Sequence, residues 1–138
     1  MPVTYQIDTA NRLVHTTCAG PITVADVIDH FRVLEQDPAC PNCVDVLLEV
    51  QASTTVPKSA ELRSVVGAIA RIRGRVQFGV CAIVAGTTAL FGMMRMFEVF
   101  AEENFHQTQA FRTIGEAEKW LDSRRRAAAV KTSVARGK

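Results

Sequence analysis

Phe78-Gly79-Val80-Cys81-Ala82-Ile83-Val84-Ala85 is an almost unbroken apolar run, rich in β-forming residues and free of charge. A strand with one wet face alternates apolar with polar residues, so a run apolar at nearly every position needs cover on both faces. That is the condition of an interior strand in a parallel sheet flanked by helices. The run therefore sets the class as α/β and asks for helical segments before and after it. Upstream, Leu62, Val65, Val66, Ile69 and Ile72 recur at helical spacing and stop near Gly74, and Val44 to Val50 reads as a further strand. Before that strand, Val24, Val27, Ile28, Phe31 and Leu34 form one apolar stripe that ends at Asp37-Pro38. Its start carries a cap in Thr23, an acid in the first turn in Asp26, and Ile22 placed to staple onto Val27.

At the N-terminus, Val3 to Asp8 and Leu13 to Ala19 read as a hairpin closed by Thr9-Ala10-Asn11-Arg12, where Asn11 suits a left-handed turn position. Downstream of the apolar run, a helix from about Thr88 to Glu103 precedes a strand from about Thr108 to Thr113. A last helix runs to Leu121, with Thr113 and Glu116 spaced as a capping box and Trp120 and Leu121 expected at the sheet edge. The expected order is β-β-α-β-α-β-α-β-α, a single-domain α/β fold with a five-stranded, mostly parallel sheet and right-handed crossovers.

Composition agrees with that architecture. The chain has 138 residues, 48% of them hydrophobic and 22% charged, enough to bury a core without disulfide or metal staples. Met1-Pro2-Val3-Thr4-Tyr5-Gln6 lacks the basic start and apolar run of a secretory leader, and nothing approaches the ~18 apolar residues of a membrane span. A cytoplasmic protein without a transmembrane segment is expected. The formal charge of +2 is too small to imply nucleic acid as the partner of the whole domain, and none is expected. Charge is nonetheless uneven: after Asp122 no acid occurs, while Arg124, Arg125, Arg126, Lys131, Arg136 and Lys138 are all basic. Residues 1–122 are accordingly read as the domain and 123–138 as a basic, disordered tail. Arg71, Arg73 and Arg75 around Gly74 lack interleaved aromatics and read as a solvated helix end.

Three pieces of the chain carry a family resemblance: Gly20-Pro21-Ile22-Thr23, Phe91-Gly92-Met93-Met94-Arg95-Met96-Phe97, and Phe111-Arg112-Thr113-Ile114-Gly115-Glu116-Ala117-Glu118-Lys119-Trp120-Leu121. With these, the chain resembles the small bacterial SpoIIAA-like proteins, also described as having a STAS/SEC14-type domain, from about Val3 to Leu121. The resemblance implies a mixed, mostly parallel sheet wrapped by helices, and a dimer. Related STAS domains are switched by phosphorylation of a serine in an Asp-Ser-[Ser/Thr]-Gly setting after the third strand. Here that stretch reads Glu49-Val50-Gln51-Ala52-Ser53-Thr54-Thr55-Val56-Pro57-Lys58-Ser59 and lacks the motif, leaving Ser53, Thr54 and Ser59 as the acceptors available.

Ligands of open parallel sheets dock beyond the carboxyl ends of the strands. Two loops there stand out, one with Ser53, Thr54 and Thr55 and one with Gly86, Thr87 and Thr88, whose amides suit an anion at the start of a helix. The plainer reading is that these hydroxyls cap helices. In the third helix, Ala89, Leu90, Met93, Met94, Met96, Phe97, Val99, Phe100 and Ala101 fill an arc of about 220° on a wheel of about 100° per residue. One sheet face cannot bury so wide an arc, and Phe91 falls outside it among polar residues. Leu90, Phe91, Met93, Met94, Met96, Phe97 and Phe100 are therefore the candidates for a dimer surface, an apolar or lipid-like ligand pocket, or a protein partner's site.

Cys40 and Cys43 have the spacing of a redox pair but follow a helix, whereas the chemistry wants the first cysteine at a helix N-terminus. Cys18, Cys81, His15, His30 and His106 offer no second close pair for zinc, and the histidines show no nucleophile or carboxylate at motif spacing. No metal and no cofactor is expected. The expected function is a non-enzymatic, homodimeric binding module. A carrier of a small apolar molecule and a thiol redox protein are the alternatives.

Overall fold

The computed structural model describes residues 3–72 and 74–136, with 128–136 as backbone alone. Met1, Pro2, Arg73 and Lys138 lie outside the described residues, as do the side chains of Lys131 and Arg136. The chain runs β1 (Val3–Asp8), β2 (Leu13–Cys18), α1 (Val24–Gln36), β3 (Cys43–Val50), α2 (Ser59–Ile72), β4 (Gln77–Ala85), α3 (Thr88–Phe100), β5 (Gln107–Phe111) and α4 (Ile114–Arg136). The sheet is mixed and its strands lie in the order β1-β2-β3-β4-β5. β1 meets β2 antiparallel, and the other three ladders are parallel.

This order decides where the helices sit. Strands laid down side by side in one direction, joined by crossovers of one hand, place every crossover helix on the same face. Accordingly the core on one face gathers residues of α1, α2 and α3 against Val14, Val44, Val50, Phe78, Cys81 and Ile83. The opposite face receives α4, whose Ala117 and Leu121 pack on Leu47, Val80, Ala82 and Val84. β4 is thus covered on both faces, as its apolar run requires, although β3 holds the middle of the sheet. Over β1 the α4 face is polar, with Thr4, Gln6 and Asp8 exposed, and on β2 Leu13 joins the α4 cluster while His15 Nε2 lies 3.1 Å from Glu49 Oε1.

One turn differs from expectation, and one ladder carries a bulge. In the hairpin the left-handed residue is Arg12 (φ 53°), while Asn11 uses its side-chain amide to hold Asp8 Oδ2 at 2.7 Å. In β4 a bulge sets Gly79-Val80 opposite Asp45, since Val44 pairs with Phe78 but Val46 with Cys81. Val80 N, displaced from the ladder, donates to Asp45 Oδ1 at 2.9 Å, and a side chain at Gly79 would collide with that oxygen.

The main departure is α4. Its backbone stays helical to Arg136, so the disordered tail expected from residue 123 is replaced by helix over 123–136. Ser123-Arg124-Arg125-Arg126-Ala127-Ala128-Ala129 contains strong helix formers and no breaker. Arg125 also anchors it: Nε lies 3.2 Å from Asp45 Oδ2, and Nη2 donates to Asn11 O. Of the two residues expected at the sheet edge, Trp120 lies on the edge strand β5 and Leu121 does not. Leu121 is buried under the sheet face, and Trp120 packs on Phe111 of β5 at 5.6 Å. The outer side of β5 is instead guarded by Glu98, which accepts from Ala110 N.

Candidate functional site

The two faces of the sheet are packed differently. On one, α4 lies close against β4, where Ala82 meets Ala117 and both are fully buried. On the other, α2 makes its close backbone contacts with α1 and α3 rather than with the strands. Between α1, α2 and the sheet a cavity of about 130 Å³ remains. Its sheet wall is Val14, Val46, Leu48, Val50 and Cys81; its helix walls are Val24, Val27 and Phe31 of α1 and Leu62, Val65 and Ile69 of α2. Val46 and Leu48, at the centre of the sheet and under the helices, remain only half-buried because this space stays open beside them.

Few polar groups face the cavity, and those inside it are held uncharged. His30 is 8% exposed; burial pushes its pKa down to about 4, so the imidazole is neutral at pH 7. Its Nε2 stands 3.3 Å from Thr16 Oγ1, and Nδ1 has no hydrogen-bond partner among the described residues. Tyr5 and Phe31 flank the ring at 5.3 and 5.0 Å. Burial raises the Cys18 thiol to about 11 and raises Cys81 further, so both act as small apolar groups. Tyr5 hydroxyl donates to Asp37 Oδ2 at 2.7 Å; burial first, and then this bond, lifts its pKa to about 12. The same bond is the main cause that holds Asp37 below the usual carboxylate range.

The hydroxyl loops prove to be latches. Ser53 Oγ accepts from Gly20 N at 3.0 Å, and Thr55 Oγ1 accepts from Ile22 N at 3.3 Å. Thr54, buried, donates to Cys18 O at 2.9 Å. These bonds tie the β3–α2 loop to the β2–α1 turn, and Thr54 and Thr55 line the cavity from that position. Thr87 caps α3 by accepting from Leu90 N at 3.2 Å, Gly86 O accepts from Arg112 Nη2 at 3.0 Å, and Thr88 opens the helix exposed. The plainer, capping reading describes Thr87.

The chain itself covers most of the wide apolar arc of α3. Leu90, Met94 and Phe97 are buried, Met93 is half-buried against the core, and Met94 and Phe97 reach the cavity. Phe91 lies under the Arg112 guanidinium at 5.2 Å and Phe100 under that of Arg63 at 4.8 Å, so cations shield rings that the sheet does not reach. Met96 and Val99 stay exposed, at 38% and 67%.

Cys40 is buried in the loop after α1 and Cys43 exposed at the start of β3; both are free thiols. Desolvation raises the Cys40 pKa, the opposite of what a reactive thiolate requires. Among the described residues, no group of three or more His, Cys, Asp or Glu is placed to hold a metal, and no helix is long and apolar enough to cross a membrane. His106 is exposed and joins a second, polar cleft of about 370 Å³ between the end of α3, β5 and α4.

Sequence reasoning did not find the cavity walls on α1 and α2. Their stripes look like ordinary core stripes, and the one available signal was that short valines, Val24, Val27, Val46, Val50 and Val65, dominate the facing positions. Compared with family models and with curated proteins, the chain matches none.

Proposed function

We propose that this protein is a non-enzymatic binding module of SpoIIAA-like type that takes up a small apolar molecule between α1, α2 and the sheet. The observation that carries this reading is the cavity itself. Native interiors leave few voids larger than a water molecule. This apolar space of about 130 Å³, open at its rim, offers packed walls on which a guest's apolar surface can be buried. The size fits one aromatic ring or a short alkyl chain, since an apolar cavity of about 150 Å³ can take up benzene. A neutral His30 and two protonated thiols keep the interior free of charge, which suits such a guest.

Benzene titrated into the full chain tests the reading. Saturable shifts of the valine, leucine and isoleucine methyl resonances around Val27, Leu48 and Val65 are expected, with a rise in Tm that grows with ligand concentration. Methyl spectra and Tm that stay unchanged up to the solubility of benzene would refute it. Self-association through α3 is a second reading. Its surface is confined to Met96 and Val99, and it is carried less far than the first.

A further inference from the structure

The walls of the cavity change from one end to the other. β2, β3 and β4 run parallel, so their carboxyl ends lie together. The lining residues that follow the strands there are Ile22, Thr23, Thr54, Thr55 and Pro57, of which Thr23 and Thr55 are exposed. None of them is aromatic, and this end is the mouth. At the opposite end stand Phe78, the second residue of β4, Phe97, in the last turn of α3, and Phe105, just before β5, all three buried. Phe31, past the midpoint of α1, joins them. The rings are set on one another. Phe31 meets Phe78 edge-on with centroids 6.4 Å apart, Phe78 meets Phe105 at 5.1 Å, and the His30 ring lies 5.0 Å from Phe31. The closed end is therefore aromatic, while the mouth is aliphatic and hydroxyl-bearing.

A saturated guest meets such a wall only through buried area and dispersion. A ring adds the attraction between its quadrupole and those of its neighbours, roughly two- to tenfold in affinity for each edge-to-face or offset pair. The Met94 thioether, which lines the same space, also favours an aromatic neighbour. Resting on the apolar-ligand reading, we infer that the guest is a single-ring aromatic molecule rather than an alkyl chain, with its ring seated at the closed end against Phe31, Phe78 and Phe105.

The test compares benzene with cyclohexane by NMR titration of the full chain and of Phe31→Leu. Transfer out of water alone favours cyclohexane, which has the larger apolar surface, so a featureless cavity binds it the tighter. The aromatic wall reverses that order, and benzene is expected to bind the wild type at least about threefold more tightly than cyclohexane. Phe31→Leu, with a native circular dichroism spectrum, should narrow this preference by weakening benzene and leaving cyclohexane within about twofold. In the wild type, benzene protons should give nuclear Overhauser effects to the ring protons of Phe31, Phe78 and Phe105. Cyclohexane binding as tightly as benzene, or tighter, overturns the inference and leaves the apolar-ligand reading standing. So does a preference that survives in Phe31→Leu, or that narrows only because cyclohexane gains, since size and not the ring then selects the guest. Overhauser effects confined to the methyls of Ile22, Val24 and Val50 overturn it as well, even where the variant does not fold. If neither benzene nor cyclohexane binds, the apolar-ligand reading falls and takes this inference with it.

Discussion

His30 lies where sequence periodicity would place an exposed polar residue of α1 as readily as a buried one, since it falls between Val27 and Phe31 on the stripe. Its burial sets a pH dependence whose sign can be worked out. In the unfolded chain the imidazole titrates near 6.5, and in the fold near 4, because desolvation disfavours the cation. The unfolded state therefore takes up the proton first, and acid favours unfolding. Stability from this group is complete above pH 6.5 and is lost as pH falls toward 4, by about 2–3 kcal/mol between pH 7 and 4.5. Urea titrations across that window should show this loss, and His30→Gln should remove most of it. A slope equally steep in the variant would assign the acid sensitivity elsewhere. The histidine was legible as a residue, but its neutral state was not, because that state depends on Tyr5 and Phe31 meeting around it.

At the scale of elements, the sequence stated most boundaries well where the local chemistry is complete. Thr23 and Asp26 form the capping box that opens α1, and Val3–Asp8 is β1 with the ends expected. The reading failed where an element is held by distant partners. α4 was ended at Leu121 because the acid-free basic run after Asp122 reads as a tail, yet helix propensity and the Arg125 contacts to Asp45 and Asn11 carry the helix on. The arc of α3 was judged too wide for one sheet face, and the cover for Phe100 and Phe91 was not legible because Arg63 and Arg112 come from other elements. The α4 anchor is open to measurement. Arg125 and Asp45 side chains keep about a quarter of their exposure, at 26% and 24%, so solvent screens the pair. Arg125→Ala should destabilise by about 1 kcal/mol, no more than a partly exposed pair allows. It should also speed amide exchange at residues 123–127. The coupling to Asp45→Asn in a double-mutant cycle isolates the pair, and zero coupling would show that helix propensity alone extends α4.

For the whole molecule, alternating strands and helices made the parallel ladders readable, but the strand order and the crowding of three helices on one face came from topology that no single segment encodes. The cavity was illegible for a deeper reason. Sequence records the atoms that are present, and a void is decided by how far α2 stands from strands it never pairs with. That stand-off leads to a trade between stability and binding. Val65 lines the cavity from α2 and is half-buried, so a larger side chain there can grow into empty space rather than into packed neighbours. Val65→Phe should raise stability by about 1 kcal/mol, roughly 3–5 °C in Tm for a chain of this size, because it fills a void that otherwise weakens the fold. The same ring occupies the place of the guest, so benzene should no longer shift the methyl spectrum of the variant. Ala at this position should enlarge the space, lower Tm, and leave binding in place. If Val65→Phe binds benzene as the wild type does, the guest sits elsewhere. If it instead unfolds the protein, Val27→Ile, a smaller fill from the α1 side, separates overpacking from an absent cavity by whether Tm rises or falls.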